Sequence, residues 1–396
     1  MATEKLIQLA NERECSGCGA CVNVCPTGSI IMRPVDDSLH LYPSITETTC
    51  IKCGKCMTTC PVLTIKYRES PRPTQHYYCA WNKSLDQRRL STSGGVGSAI
   101  VNEALNRGYY VAGVKFDDHW HVEHVVTNDV IIANQFRGSK YLQSDTSTIY
   151  KKIKHMIYGG EKVLFVGTPC QIDAVKSVVP KADDKLLTCG IICHGVNAPV
   201  VWSDFVEYLQ NKKHGVLKSY NFRSKKKGWG KLYIDYEMTN GKQYTEPAWK
   251  NLFHVWFGQH YMMRESCFHC AYRKEERYSD LVIGDFWGIE KVLPQLETKD
   301  GASVLITTTE QGQQFVDNLD CLELIRVDAK KTPTVLKGFL AKKGNEVKLN
   351  TQLESMHRFA AHYHSKTFAE MAKLYPCPTR WDLLVASLKH HIGKKR

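Results

Sequence analysis

Cys15-Ser16-Gly17-Cys18-Gly19-Ala20-Cys21-Val22-Asn23-Val24-Cys25-Pro26 opens the chain, and Cys50-Ile51-Lys52-Cys53-Gly54-Lys55-Cys56-Met57-Thr58-Thr59-Cys60-Pro61 repeats it. Both stretches read C-x2-C-x2-C-x3-C-P. That spacing wraps three thiolates around one corner of an iron–sulfur cube and sends the fourth to a neighbouring cube. It predicts two 4Fe-4S clusters with crossed ligands. Cys15, Cys18, Cys21 and Cys60 would hold one, and Cys50, Cys53, Cys56 and Cys25 the other. Small residues between the ligands (Ser16, Gly17, Gly19, Ala20, Gly54) leave room for backbone amides to reach the cluster sulfurs, contacts that help set a reduction potential. Residues 30–49 exceed what a minimal two-cluster module needs and read as a surface loop with a short hairpin.

Other uses of cysteine fit less well. Zinc fingers pair CxxC units across a finger-length spacer, whereas these cysteines come in threes plus one. The opening MATEKLIQLANER is polar and charged, without the apolar core of an export signal. The sixteen cysteines among 396 residues are therefore expected in a reducing, cytoplasmic setting, as ligands rather than disulfides. A hydrophobic content of 43% supports a buried core, and no apolar run approaches the roughly 18 residues of a membrane span. The formal net charge of +13 counts every cysteine as neutral. Each cube with four thiolates carries about two negative charges, so part of the excess balances cofactors. The remainder favours acidic partners such as a ferredoxin. No nucleic-acid recognition motif accompanies it.

The chain divides into three parts. Residues 1–70 form the two-cluster ferredoxin module, leaving through the stiff linker Glu69-Ser70-Pro71-Arg72-Pro73. Residues 75–345 alternate strand-like and helix-like patterns, giving an α+β chain whose second domain is mixed α/β. Strands are expected at 77–81, 109–116, 122–126, 162–166, 186–193, 281–284 and 303–309. Helices are expected at 146–158, 201–209 and 248–262, and Asn240-Gly241 marks a hairpin turn. Residues 346–396 read as a helical, basic tail. Its end, Trp381 to Arg396, suits either a docked terminal helix or an amphipathic helix on an anionic membrane or a partner.

Four later cysteines stand at strand ends and in a CxxC. Cys170 follows Thr168-Pro169 at a strand-to-helix turn, where the helix end would favour a thiolate. Cys193 closes a strand and precedes His194-Gly195. Cys267 and Cys270 share one loop. Together they would hold a third 4Fe-4S cluster; a zinc site, a redox dithiol at Cys267 and Cys270, and plain packing stay open. The remaining cysteines, Cys79, Cys189, Cys321 and Cys377, read as packing residues. C-type haem attachment is excluded by the spacing to His194 and by Ala271 after Cys270.

Ser93-Gly94-Gly95, Arg137-Gly138-Ser139-Lys140-Tyr141, Gly167-Thr168-Pro169-Cys170-Gln171, Cys193-His194-Gly195, Phe222-Arg223-Ser224-Lys225 with Gly228-Trp229, and Gly284-Asp285-Phe286-Trp287-Gly288 occur in that order. This set resembles the coenzyme F420 hydrogenase/dehydrogenase beta-subunit family, in its stand-alone form with an N-terminal two-cluster ferredoxin. The resemblance spans about residues 1 to 345 and implies FAD bound beside a 4Fe-4S cluster. The Ser93-Gly94-Gly95 turn before a helix would offer amides to a pyrophosphate. Ser139 and Lys140 would supply a hydroxyl and a cation, and Lys225 a further charge from a basic run that also reads as a solvated loop. His194 and Asp285 are the catalytic candidates. No G-x-G-x-x-G follows a strand, so a dinucleotide Rossmann site is not supported.

The resulting expectation is an iron–sulfur flavoprotein oxidoreductase. It would join a two-electron donor or acceptor, F420 or another hydride carrier, to one-electron clusters and a ferredoxin or similar redox protein. The alternative is an electron-transfer subunit that feeds a separate catalytic partner.

Overall fold

The structure is a computed structural model; it describes residues 7–64, 75–273, 278–328 and 346–382. The linker at 69–73 and most of the basic stretch 381–396 lie outside the described residues. Among the described residues the strands form three sheets, of two, three and eight strands. No described helix is long and apolar enough to cross a membrane.

The N-terminal module carries the two cysteine runs and a hairpin, β1 (Ile30–Pro34) against β2 (Leu41–Ile45). Expected as a surface loop, the hairpin insertion instead docks inward. Leu39, His40 and Tyr42 are buried, and His40 meets the carbonyl of Met262 at 3.1 Å and Gln143 Oε1 at 3.1 Å. A stretch of mixed polarity between two cluster runs thus becomes a bolt into the larger body.

That body is built on β3 (His76–Asn82), β4 (Tyr110–Phe116), β5 (Val122–Thr127), β6 (Val163–Gly167) and β7 (Leu186–Ile191). A separate three-stranded meander follows, β8 (Leu217–Ser224), β9 (Tyr233–Met238) and β10 (Gln243–Pro247). Then β11 (Leu281–Asp285), β12 (Ser303–Thr307) and β13 (Leu322–Val327) return to the large sheet, whose order is β13-β3-β12-β11-β7-β6-β4-β5. The central four, β11-β7-β6-β4, are mutually parallel. Parallel strands are covered on both faces and need continuous apolar runs, and Val163, Leu164, Phe165, Leu186 and Leu187 are all buried. In open α/β sheets ligands collect beyond the carboxyl ends of such strands. The turns after β6 and β7 carry Thr168-Pro169-Cys170 and Cys193-His194, and β11 ends in Gly284-Asp285.

Helix Ile149–Tyr158 covers one face with Ile149, Tyr150, Ile153 and Ile157, a spacing that keeps them on one side. Helix Pro199–Lys213 starts on proline and stops where His214 turns left-handed at φ 50°. It packs Trp202 and Phe205 onto Tyr220, Phe222 and Phe253, a stacked aromatic core under the meander. The helix expected at 248–262 is shorter, Leu252–Gly258, because the chain turns at His260, where φ is 62°.

The C-terminal helices Glu346–Ser365 and Phe368–Leu374 are part of this core. Phe359 is fully buried against Trp256, and Trp256 Nε1 donates to the carbonyl of Tyr375 at 2.8 Å. Met356, with Leu349 and Leu353, packs beside Cys267 and Phe268. None of the sixteen cysteines is in a disulfide. Cys79 and Cys189 are core and Cys377 is half-buried, but Cys321 is exposed: it lies in a turn whose carbonyl accepts from Lys83 N at 2.9 Å.

Asp280 registers β11 against β7. Its carboxylate accepts from Thr188 N at 2.8 Å, Thr188 Oγ1 at 2.5 Å and Thr309 Oγ1 at 3.1 Å, and the residue is 5% exposed. Asp280→Ala would strand those donors in the interior. The expected loss is roughly 2–4 kcal/mol, read as a lower midpoint in urea unfolding of the full chain.

Candidate functional site

Helix Ala20–Val24 is preceded by Gly19 (φ 76°, ψ 5°), and helix Lys55–Thr59 by Gly54 (φ 74°, ψ 2°). The last cysteines match as closely, Cys25 at φ −67°, ψ 115° and Cys60 at φ −65°, ψ 115°. The two copies in sequence therefore fold as two copies of one turn. Left-handed glycines let three thiols of each run curl inward, and the extended fourth residue leaves for the other set. One cavity is lined by Cys15, Cys18, Cys21 and Cys60. A second is lined by Cys25, Cys50, Cys53 and Cys56.

Burial pushes Cys21 up to about 12, and the nearby Cys15 and Cys60 push further. Burial also raises Cys56, with Cys53 and Cys25 adding to it. Four thiols gathered in a low dielectric do not ionise unaided; a cationic metal core is what stabilises them as thiolates. The amide of Ser29 donates to Cys25 Sγ at 3.2 Å, the kind of bond that tunes a cluster. The sets differ in surroundings. Cys15 and Cys18 are each 9% exposed, whereas Cys53 is exposed and its neighbour Ile51 is 63% exposed.

The structure also gathers Cys170, Cys193, Cys267 and Cys270. Burial raises Cys193, and Cys267, Cys170 and Cys270 raise it further. The helix start does not lower Cys170; burial outweighs it and pushes the thiol up to about 12, with Cys270 and Cys267 adding repulsion. Among the described residues, no three His, Cys, Asp or Glu side chains are drawn together tightly enough for a single metal ion. A cube spreads its ligands wider than one ion does. Cys170 also acts on Cys18, so this third set borders the inner ferredoxin site.

Beside the third set lies a cavity of about 500 Å³, with Cys193, His194 and Gly195 in its wall. The volume falls within the range of cofactor pockets. Its wall includes Ser93, Gly95, Arg137, Ser139, Lys140 and Thr168, and also Tyr141, Phe257, Trp287, Arg223 and Asp285. Two buried guanidinium nitrogens in this wall, Arg137 Nε and Arg223 Nη2, have no hydrogen-bond partner among the described residues. Unpaired buried donors are costly, and both suit an anionic or carbonyl oxygen of a bound molecule.

The expected flavin residues take different places. Ser93 Oγ donates to the carbonyl of Ala302 at 2.7 Å, so the residue offers the cavity little besides backbone. The amide of Gly94 donates to Ser303 Oγ at 2.9 Å, and a Cβ there would strike the carbonyl of Ala80. Gly94 shapes the turn and does not line the cavity, whereas Gly95, at φ 82°, starts helix Val96–Asn106. The amide of Ser139 donates to Thr92 Oγ1 at 2.9 Å. Lys140 turns its ammonium onto the carbonyls of Gln135 at 2.6 Å and Arg137 at 3.1 Å, and burial pushes it down to about 7. Lys225 is not in the wall. It braces the turn from behind through the carbonyls of Arg88 at 2.5 Å, Asp300 at 2.8 Å and Ser93.

His194 meets His260, Nε2 to Nε2, at 2.7 Å. Burial pushes it down to about 4, with His260 and Arg273 acting the same way. Asp285 accepts from Trp229 Nε1 at 2.8 Å and from Arg223 Nη1 at 3.2 Å. Arg223 also donates to Tyr141 Oη at 3.2 Å and lies over the ring of Trp287, 5.1 Å from its centroid. The roles of Arg137 and Tyr141 escaped sequence reasoning, although both stand in the Arg137-Gly138-Ser139-Lys140-Tyr141 motif.

Two stretches of the chain match known family models. Residues 160–331 match the family model for the C terminus of the coenzyme F420 hydrogenase/dehydrogenase beta subunit, and residues 14–64 match the 4Fe-4S dicluster domain. The chain is 25% identical over 199 residues to a subunit of the F420H2 dehydrogenase of Methanosarcina mazei, covering 48% of this chain and 56% of that one. It is 29% identical over 206 residues to an uncharacterized protein of Methanocaldococcus jannaschii, covering 43% and 54%. The chain thus spans about half the length of the curated relatives it matches. A chain of the F420-reducing NiFe hydrogenase complex from Methanosarcina barkeri superimposes with a TM-score of 0.46 at 16% identity, over 75% of this chain and 93% of that one. The chain thus pairs a stretch similar to the 4Fe-4S dicluster domain with one similar to the C terminus of the coenzyme F420 hydrogenase/dehydrogenase beta subunit.

Proposed function

We propose that the chain is an iron–sulfur flavoprotein oxidoreductase of a reducing, cytoplasmic setting, with FAD in the 500 Å³ cavity and a third 4Fe-4S cluster on Cys170, Cys193, Cys267 and Cys270. One observation carries this reading. Cys193 stands in the cavity wall, its companion Cys170 acts on Cys18, and Cys18 belongs to the inner ferredoxin set. A continuous file of thiol sets therefore leads from the cavity to the exposed Cys53. When bound, FAD supplies the exchange between two-electron hydride chemistry and one-electron carriers, which cubes alone do not perform.

The protein's part is placement. The backbone of Ser93 and Gly95 and the Nε of Arg137 would receive the pyrophosphate. Tyr141, Phe257 and Trp287 would exclude water around a planar ring. Arg223, held by Asp285 and Tyr141, would turn its free Nη2 to an anionic oxygen of the hydride carrier, F420 or another. A ferredoxin-type protein would meet the outer set near Ile51 and Cys53.

A second reading also has support. The Methanosarcina mazei relative is named as one subunit of a dehydrogenase, which favours an electron-transfer component that feeds a separate catalytic partner. Turnover of the purified chain with a soluble hydride donor separates the two; cluster reduction without turnover would leave the electron-transfer reading.

Anaerobically purified protein is expected to hold about twelve irons, from three cubes, and about one flavin. Cys193→Ala should lower the iron to roughly eight and leave the ferredoxin pair intact by EPR; an unchanged iron count would remove the third cluster. Arg223→Ala should raise the Michaelis constant for an anionic donor, NADH or reduced F420, by roughly 10–100-fold, the worth of one charge-assisted hydrogen bond. Iron and flavin counts should stay at the wild-type level, and an unaltered constant would assign Arg223 a structural role only.

A further inference from the structure

Arg264 is fully buried, at 0% exposure. Its Nε donates to Gln143 Oε1 at 2.8 Å, Nη1 to the carbonyl of Cys15 at 3.1 Å and Nη2 to the carbonyl of Leu41 at 2.6 Å. Its plane lies over Tyr42, 4.4 Å from the ring centroid. Every one of these partners is neutral, and no ion pair joins it to a carboxylate among the described residues. Arginine keeps its proton in proteins, and an unpaired buried charge is among the most expensive things a fold can contain. The hydrogen bonds reach each guanidinium nitrogen but leave the charge without a counter-charge.

The surroundings point to where the counter-charge belongs. Cys15 opens the inner thiol set, and its own carbonyl is an Arg264 partner. Gly17 sits so close that an added Cβ would lie 2.6 Å from Arg264 Nη2. Arg264 also joins the third set's loop, where its carbonyl accepts from the Cys267 amide at 3.0 Å. Its positive charge helps burial push His40 down to about 3. The guanidinium thus stands between two thiol sets that would carry net negative charge once loaded with iron.

We infer that Arg264 is the built-in counter-charge of the inner cluster, a positioning residue that raises the reduction potential of the cube on Cys15, Cys18, Cys21 and Cys60. The inference rests on the reading that these thiols hold a cube. Reduction adds one electron and one unit of negative charge to the cluster. A fixed cation at its edge stabilises that reduced state, whereas the more exposed outer set has water for the purpose.

The test is an EPR-monitored redox titration of the full-length protein, with iron counted first. Absence of ferredoxin-type clusters in the wild type would sink the cluster reading itself, before any variant is compared. With the clusters present, Arg264→Gln should move the midpoint of the inner cluster to more negative potential and leave the outer one in place. Arg264→Lys keeps the charge and should keep the midpoint near that of the wild type. An inner midpoint unmoved by Gln, or moved equally by Gln and Lys, overturns the inference. If the Gln variant fails to load the inner cluster, the iron count decides. Loading restored in the Lys variant supports the role of charge, and loss in both overturns it.

Discussion

The burial of thiols that metal binding would turn into negative charge is the constraint around which the molecule is arranged. Twelve thiols lie in three sets of four, and in each set burial raises at least one thiol while its neighbours raise it further; at the shallow Cys25 burial also raises, but hydrogen bonds with Thr27, Ser29 and Ile30 prevail and lower it. Such sets are tolerable only where cations can reach them, whether metal or side chain. The formal excess of +13 is spread through the chain, but one of its members, Arg264, is sealed between two sets. Around it the cluster loop, the β1–β2 hairpin and the loop of Cys267 converge, so the charge that faces the thiols also joins the N-terminal module to the body.

The sheet explains why the third set can exist. Parallel strands β6 and β7 end side by side and deliver Cys170 and Cys193 to one edge, because the turns that follow parallel strands emerge on the same side. Cys267 and Cys270 arrive from a loop under the C-terminal helix Glu346–Ser365, whose Leu349, Leu353 and Met356 cover it. The cavity opens beside this edge, where the parallel strands end. Its wall mixes donors already satisfied by the fold with two that are not.

What was legible in the sequence was what is local. Three of the four thiols of each ferredoxin set lie within one turn, so spacing alone announces them. Strand positions followed from apolar runs, and the Asn240-Gly241 hairpin from its turn chemistry. Long-range partners were silent. Lys225 reads as a free cation beside a motif, yet its ammonium is held by carbonyls from three distant segments. The hairpin reads as surface because it exceeds what a minimal two-cluster module needs, yet His40 lies within hydrogen-bond distance of both Gln143 and the Met262 carbonyl. Arg264 carries no signal at all, since a lone arginine before Glu265 looks like any exposed residue. The helix end at Cys170 suggested an acidic thiol, and the depth of the site reversed it.

Gly19 and Gly54 make two turns that are nearly superimposable, but Cys18 lies in the interior and Cys53 at the surface. Two sites alike in bonding are therefore unlike in solvation. Water screens an added electron at the outer site and is scarce at the inner one, so equal ligands alone would make the inner position an energetic step that a passing electron must climb. A relay with such a step would slow or rectify the current. The buried guanidinium would lower that step, and the profile along the file of thiols would become more nearly level. Sequence duplication supplies the repeated coordination; under the proposal, the unequal depth of the copies, offset by one fixed cation, would let an electron pass between them in either direction.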